Sequence, residues 1–255
     1  MHTTLNRAIF LDFDGVLFDT LHEVYAMTMI ALGHSFCVQD LDFKSKHFIK
    51  FSQFRYLIGP AWNYYYLAQS IEKKTANPKL DLETEYKKLL ARRKNLEHRS
   101  FEKSFFNTRK KLREKNHNQW LSLISPYNIV SELRGLISDF RNNFFLVTTR
   151  DRESVLELLN LNNLKFSESH IFTKMDYVYY NSKANIIQDL IGKHKIAQSI
   201  FIDDLEEHLE ACRSIKNLLT IQAKWGYVVP STKEDNSASL LQELEKFIQG
   251  ENVQA

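Results

Sequence analysis

Residues 9–20 read IFLDFDGVLFDT, an apolar run that leads directly into two aspartates separated by one residue. The run is rich in β-branched and aromatic side chains, which are typical of a buried β-strand. Asp12 and Asp14 follow at the point where such a strand ends. Two carboxylates this close together repel each other strongly unless a positive charge lies nearby. The stretch therefore predicts a cation at the end of the first strand.

The composition is that of an ordinary folded protein. Of the 255 residues, 44% are hydrophobic and 25% are charged, and the seven Gly and four Pro argue against a low-complexity chain. The two cysteines, Cys37 and Cys212, form neither a metal-binding pair nor a disulfide framework, which fits a reducing compartment. No apolar run approaches about 18 residues, and MHTTLNRAIF lacks the apolar core of a signal peptide. We expect a cytoplasmic protein with no membrane association.

Two further apolar runs resemble the first and also end in polar residues: NFFLVTTRD at 143–151 and SIFIDDLE at 199–206. Helical patterns lie between and around them, SVLELLNLNNL from residue 154 and KANIIQDLIGKH from residue 183. Alternating strands and helices predict an α/β fold with a Rossmann-like, doubly wound parallel sheet. Ligands bind beyond the carboxyl ends of the strands in such sheets, so we expect the three polar ends to converge.

The segment between the first two strand patterns is too long for a single crossover helix. It differs in composition, with nine aromatic residues within 43–66 and twelve Lys or Arg against four Glu within 85–118. Its apolar spacing is helical. We predict an inserted α-helical domain over residues 21–124, and an α/β core formed by residues 1–20 and 125–255.

A hard divalent cation would supply the positive charge that the paired aspartates require. Mg²⁺ prefers oxygen ligands and commonly binds one or two carboxylates together with water and substrate phosphate. The third strand pattern supplies two further carboxylates, Asp203 and Asp204. A carboxylate such as Asp12 can attack phosphorus as a nucleophile, while Asp14 can donate and accept protons. Sequence patterns for a phosphate loop, a dinucleotide fingerprint, a zinc helix and a serine nucleophile elbow are absent.

Four short motifs occur in an order that resembles the haloacid dehalogenase (HAD) superfamily. They are DFDGVLFDT, LVTTR, a lysine at the start of a helix, and FIDDLEEHLEAC. The resemblance implies that Asp12 is a nucleophile, Asp14 a general acid and base, Thr148 a hydroxyl that holds the phosphoryl group, and Lys183 the lysine of the third motif. Thr149 is an alternative to Thr148 and a further candidate for substrate binding, and Lys174 is an alternative to Lys183.

The same resemblance implies a Mg²⁺ site that involves Asp12, Asp14, Asp204 and Asp203. In the fourth motif Asp203 stands where the family often has glycine, and Asp204 stands in the metal-ligand position. His208 stands where a second acidic residue is common. This departure concerns the outer part of the metal site.

The resemblance also implies a reaction. Asp at position 14 and the insert between the first two motifs are similar to the phosphatase branch with a helical type-one cap. We therefore expect a Mg²⁺-dependent phosphatase that hydrolyses a small phosphorylated metabolite through an aspartyl-phosphate. A phosphomutase, or an inactive module that binds nucleic acid through the basic insert, is the alternative.

The insert contains one candidate for recognition of an anionic substrate. Arg55 lies among Phe51, Phe54 and Tyr56, although such aromatic clusters more often form a domain core. The basic stretch 85–118 is most simply a solvated helix face, so nucleic acid is not the partner that we expect. An insert of this size would exclude bulk water and large substrates by closing over the site. The sequence does not indicate an oligomeric state.

Overall fold

A computed structural model describes residues 5–92 and 95–251 of the chain. The chain divides into two compact units. The first combines the N-terminal segment through Asp19 with the segment from Pro126 onward, and the second is Thr20–Ser125. No helix of the described residues is both long and apolar enough to cross a lipid bilayer.

The strands within the described residues are short and lie mainly in the first unit. They are β1 (Arg7–Leu11), β2 (Phe18–Asp19), β3 (Ser125–Pro126), β4 (Phe144–Val147), β5 (Ile171–Phe172), β6 (Gln198–Asp203) and β7 (Leu218–Gln222). Twelve α-helices accompany them in this part of the chain: α1 (Leu21–Ala31), α2 (Lys46–Gln53), α3 (Asn63–Ala76), α4 (Leu82–Ala91), α5 (Asn95–Lys115), α6 (His117–Ser122), α7 (Ile129–Asp139), α8 (Arg152–Leu161), α9 (Lys174–Tyr180), α10 (Lys183–His194), α11 (Glu206–Cys212) and α12 (Ser237–Gln249).

Five of these described strands form one parallel sheet in the order β5-β4-β1-β6-β7. The central strand β1 pairs with β4 through Phe10 and Phe145 and with β6 through Phe10 and Phe201. These three phenylalanines are fully buried, as expected for a parallel sheet that is covered on both faces. The predicted doubly wound α/β core is confirmed, and the three polar strand ends lie on neighbouring strands.

Local sequence signals explain where two of the core helices begin. Asp151 precedes α8 and accepts a hydrogen bond from the amide of Ser154, and Ser182 precedes α10 and accepts from the amide of Asn185. Both are N-caps of the usual kind, in which a short polar side chain satisfies an amide of the first turn. The first cap fixes the start of the helix that follows the second motif. The second cap fixes the start of the helix whose first residue, Lys183, is the third motif.

The second unit is helical, as predicted, and its aromatic residues form its core. Phe51 is fully buried, stacks on Tyr64, and packs edge-on against Tyr25. Tyr64 in turn stacks on Phe105 of α5. The aromatic cluster that the sequence placed in the insert is therefore the hydrophobic core of this unit.

One ion pair lies within that core. The Glu23 side chain on α1 has no exposed surface, and Arg109 on α5 donates from Nε to its Oε1 at 2.7 Å and from Nη2 to its Oε2 at 3.1 Å. The indole Nε1 of Trp120 also donates to Glu23 Oε1 at 3.0 Å. The carboxylate is thus neutralised and hydrogen-bonded inside the apolar core, which is the condition under which a buried charge is tolerated.

Candidate active site

Asp12 is the first residue after β1 and lies at the carboxyl edge of the sheet. Its amide donates to the carbonyl of Ile202 on β6, which continues the pairing of the two strands by one residue. The residue is only 6% exposed. Its Oδ1 lies 2.7 Å from Nζ of Lys183. The cation predicted for this aspartate is therefore, in part, a lysine side chain.

Lys183 comes from the first turn of α10 and is almost completely buried. Its Nζ contacts Asp12 Oδ1 at 2.7 Å and Asp203 Oδ2 at 2.8 Å. Burial by itself would lower the pKa of Lys183, but the two carboxylates raise it above the ordinary lysine value, so the ammonium stays charged. Lys174, the alternative considered from the sequence, begins α9, and its amide donates to the carbonyl of Arg150.

Asp203 ends β6 and has no exposed surface. Besides Lys183, it accepts hydrogen bonds from the amide of Leu205 at 2.9 Å, and its Oδ2 lies 3.0 Å from Nδ1 of His208. Burial would raise the pKa of Asp203, but Lys183 and His208 hold it well below its usual range. His208, where the family often has an acid, here contacts the aspartate that stands in the glycine position.

The pKa of Asp12 is shifted in the opposite direction to that of Asp203. Burial raises the pKa of this carboxyl to about 6, because the attraction of Lys183 is smaller than the cost of desolvation and is opposed by the charge of Asp203. Lys183 is shared between two carboxylates, so it does not fully compensate either the burial or the repulsion. Lys183 therefore does not fully neutralise Asp12, the predicted nucleophile.

Asp14, two residues further on, has a separate cationic partner. Its Oδ1 accepts a hydrogen bond of 2.9 Å from Nη1 of Arg150. The guanidinium side chain is fully buried, whereas the Asp14 side chain keeps 16% exposure. The sequence analysis did not assign a role to Arg150. Its position directly after the two threonines of the second motif was the available signal.

The two threonines follow β4, the strand beside β1. Thr148 is buried, its amide donates to the carbonyl of Phe172, and its Oγ1 accepts from the amide of Arg150 at 3.2 Å. Thr149 is half-buried. Both hydroxyl-bearing residues therefore follow directly from the strand adjacent to the one that carries Asp12.

Asp204 packs against two glycines that leave space for its carboxylate. Gly15 has a φ of +91°, and a Cβ atom on it would lie 2.1 Å from Asp204 Oδ2. A Cβ atom on Gly226 would lie 2.3 Å from the carbonyl oxygen of Gly15 and 2.6 Å from the Asp204 Cβ. Any larger residue at either position would displace the backbone or the carboxylate. Tyr227 then donates its amide to Asp204 Oδ2 at 2.7 Å.

The loop after β7 is thus a part of the site that sequence reasoning missed. Besides its contact with Asp204, it binds the segment after β1 in two places: Trp225 Nε1 donates to the carbonyl of Val16 at 3.0 Å, and the Tyr227 hydroxyl donates to Asp19 at 2.8 Å. The tryptophan–glycine pair at the end of a strand pattern was the only sequence signal for it.

The residues present fit a hard divalent cation. Asp12, Asp203 and His208 offer ligand atoms that all lie within 4.8 Å of one another. Asp14 and Asp204 do not belong to that group. Arg150 Nη1 donates to Asp14, and the amide of Tyr227 donates to Asp204. Burial, and to a smaller extent the charge of Asp203, raises the pKa of Asp12, so its ionised form is disfavoured here and an oxygen-preferring cation would stabilise it.

Arg55 lies in the second unit and is packed into that unit's interior. It is 8% exposed, its Nη1 donates to the carbonyl of Ile58 at 2.8 Å, and its guanidinium lies 5.2 Å from the centre of the Tyr64 ring. These contacts are those of a structural arginine, and its role in substrate binding stays a prediction.

The chain is similar to known proteins among solved structures. No protein-family model matches the sequence, and no curated protein sequence matches it. Solved structures do match along nearly the whole chain. A predicted phosphatase from Clostridium acetobutylicum superposes with a TM-score of 0.59 at 14% identity and covers 95% of this chain and 99% of its own.

Two other structures give the same result. A predicted phosphoglycolate phosphatase from Haemophilus somnus has a TM-score of 0.55 at 17% identity, covering 95% of this chain and 98% of its own. A haloacid dehalogenase-like hydrolase from Streptococcus pneumoniae has a TM-score of 0.53 at 15% identity, covering 94% and 99%. The chain has the haloacid dehalogenase fold. The fold that the four motifs implied is therefore confirmed by structures with little sequence in common with it.

Proposed function

We propose that the protein is a Mg²⁺-dependent phosphatase that hydrolyses a small phosphomonoester through an aspartyl-phosphate on Asp12. The observation that carries this proposal is the buried Asp12–Lys183 pair at the carboxyl edge of a HAD-fold sheet, with the pKa of Asp12 raised to about 6. Strongly perturbed carboxylates beside a specific charge partner are frequent at reactive sites.

In this proposal Asp12 attacks the phosphorus atom, and the bond from phosphorus to the leaving oxygen breaks. Lys183 holds the attacking carboxylate in place and supplies positive charge beside it, 2.7 Å from Oδ1. Asp203 keeps Lys183 charged and fixes its direction, since its own side chain is buried and held by three donors. Water then hydrolyses the aspartyl-phosphate in a second step.

Asp14 serves as the general acid and base. It donates a proton to the leaving oxygen in the first step and removes a proton from water in the second. Its 16% exposure is consistent with access to both a substrate and solvent. The hydroxyl of Thr148, with Thr149 as the alternative, donates to the phosphoryl oxygens from the end of the strand next to β1.

Asp12 and Asp203, which lie with His208 in the group of closely spaced ligand atoms, would hold Mg²⁺ together with Asp14 and Asp204, which follow the neighbouring strands β1 and β6. When bound, the ion offsets the repulsion between carboxylates and phosphate. Gly15 leaves room for the Asp204 carboxylate, and the amide of Tyr227 donates to its Oδ2, so the direction of this carboxylate is fixed.

The substrate that we propose is a small organic phosphate in the cytoplasm. Support comes from two neighbours, from Haemophilus somnus and Lactobacillus delbrueckii, that are described as predicted or putative phosphoglycolate phosphatases. The second has a TM-score of 0.54 at 12% identity. Two free cysteines are consistent with a reducing compartment.

A panel of phosphorylated metabolites, assayed with Mg²⁺ and with EDTA, tests the proposal. We expect phosphate release from at least one small phosphomonoester with Mg²⁺ and none after chelation. Acid quenching during turnover should trap a phosphoryl group on the peptide that contains Asp12. A matched variant, Asp139→Asn on the exposed end of α7, should behave as wild type. Full activity in EDTA would remove the metal from the mechanism, and capture of a bisphosphate intermediate would identify a phosphomutase instead.

A further inference from the structure

Arg150 is the one residue of the second motif whose charged side chain is completely enclosed. It is 2% exposed as a residue, and its side chain has no exposed surface. Nη1 donates to Asp14 Oδ1 at 2.9 Å. A buried arginine is costly unless its donors are used, and the Asp14 carboxylate is one of the groups that accepts from it.

The guanidinium group is held from two other directions. Nε donates to Oγ of Ser154 at 2.9 Å, and Ser154 belongs to the first turn of α8. The guanidinium carbon also lies 5.7 Å from the centre of the Phe13 ring. Because guanidinium is planar and rigid, fixing Nε and one face also fixes the direction in which Nη1 points. Arg150 thus connects the capped start of α8 to the Asp14 carboxylate.

This burial excludes direct contact between Arg150 and a solvent-borne substrate in the described structure. Asp14, by contrast, keeps partial exposure. We propose that Arg150 is a positioning residue, which holds the Asp14 carboxylate in the orientation needed for proton transfer to the leaving group. The inference rests on the proposed function, in which Asp14 is the general acid and base.

The chemistry of the leaving group separates this role from a structural one. When the phosphorus–oxygen bond breaks, an alcohol leaves only if its oxygen receives a proton, which Asp14 supplies. p-Nitrophenolate leaves as a stable anion and needs little proton transfer. Misplacing Asp14 should therefore slow departure of the leaving group from an alkyl phosphate much more than from p-nitrophenyl phosphate.

The experiment compares wild type, Arg150→Met and Arg152→Met on two substrates: the alkyl phosphate identified by the metabolite panel, and p-nitrophenyl phosphate. For Arg150→Met we expect kcat/KM, which reports the steps through release of the leaving group and not the later hydrolysis of the aspartyl-phosphate, to fall by about a hundredfold on the alkyl phosphate, the usual contribution of a general acid, and by less than about fivefold on p-nitrophenyl phosphate. Arg152, two residues later, is half-buried and donates to the carbonyl of Ile171. Its variant should leave the ratio of the two rates unchanged.

A second variant keeps the test decisive if Arg150→Met does not fold. Ser154→Ala removes only the hydroxyl that holds Nε, and should shift the ratio of the two rates in the same direction by about fivefold, since orientation rather than charge is lost. Equal losses on both substrates in Arg150→Met would refute the positioning role. So would an unchanged ratio in Ser154→Ala if that is the variant that folds. Absence of turnover of any ester by wild type would refute the proposed function itself, and this inference with it.

Discussion

Each of the two units buries a cluster of charged side chains. The clusters differ in how fully positive and hydrogen-bonding groups neutralise the carboxylates. In the second unit, Glu23 is matched by one arginine that donates twice and by the indole of Trp120. In the first unit, one lysine is shared by Asp12 and Asp203. The first arrangement joins α1 to α5 inside an apolar core, and the second lies at the edge of a sheet.

This difference distinguishes a buried charge that stabilises the fold from a buried charge that can take part in a reaction. A buried carboxylate that an arginine contacts through two hydrogen bonds, as Arg109 contacts Glu23, is already compensated within the fold. A buried carboxylate that must share its lysine, and whose pKa is raised to about 6, is held in a state that an incoming cation would stabilise. Burial alone does not distinguish them, because Glu23 is even less exposed than Asp12.

The strongest test makes the same chemical change at both sites. Asp12→Asn should reduce phosphatase turnover by at least about a thousandfold, about 4 kcal/mol in transition-state stabilisation, because the amide oxygen lacks the negative charge of the nucleophile. The protein should remain folded, since Lys183 keeps Asp203 as its partner. Steady-state kinetics and circular dichroism on the same preparation measure both effects. Turnover within about tenfold of wild type would be incompatible with Asp12 as the nucleophile.

Glu23→Gln should give the reverse result. The amide removes the negative charge that Arg109 contacts through two hydrogen bonds inside the core, so we expect the free energy of unfolding to fall by about 3 kcal/mol. Turnover per folded molecule should change little. Chemical denaturation measures the loss, and Lys110→Met on the exposed face of α5 is the matched control. If Glu23→Gln were as stable as wild type, the balanced cluster would not be what holds these helices together.

Metal binding should distinguish the two clusters without any assay of activity. An ion that binds only the folded state stabilises it by about 2.7 kcal/mol when its concentration is a hundred times its Kd. We expect Mg²⁺ to raise the melting temperature of wild type and of Glu23→Gln, and to have little effect on Asp204→Asn. An equal Mg²⁺ effect in Asp204→Asn would place the ion elsewhere.

The smallest predicted effect concerns His47 in the second unit. Burial, and to a smaller extent the charges of His34 and Lys50, lowers the pKa of this ring from 6.5 to about 4. The unfolded chain therefore binds the proton more readily, so stability is full above about pH 6.5 and falls as the pH is lowered toward 4. We expect a loss of about 1 kcal/mol, because solvent reaches the half-buried ring and reduces the shift. Denaturation of wild type and His47→Gln at several pH values measures it, and identical pH dependence would show that His47 does not titrate in this way.

Much of the core could be predicted because it depends on local patterns. The apolar runs at residues 9–20, 143–151 and 199–206 overlap β1, β4 and β6, and the predicted helix from residue 183 begins at Lys183. The helix predicted from residue 154 begins two residues earlier, because Asp151 caps it. The carboxyl ends of the strands lie at one edge of a doubly wound sheet, so the location of the candidate site could be predicted from the fold class.

The partners of each side chain could not be predicted in the same way. The pairing of Arg150 with Asp14, and of His208 with Asp203, depends on register and on side-chain direction across different elements. Trp225 and Gly226 reach the segment after β1 only through the turn that follows β7. Composition and spacing carry no information about such distant contacts.

The central position of β1 has a consequence for the order in which the chain folds during synthesis. Its two partners, which begin at Phe144 and Gln198, are made long after β1 itself. The whole of Thr20–Ser125 is made in the interval. A growing chain therefore carries an apolar strand with both edges unpaired while the helical unit can already collapse around its aromatic residues, and such unpaired strands favour aggregation. We expect the nascent chain to need protection at its first twenty residues until β6 has emerged from the ribosome.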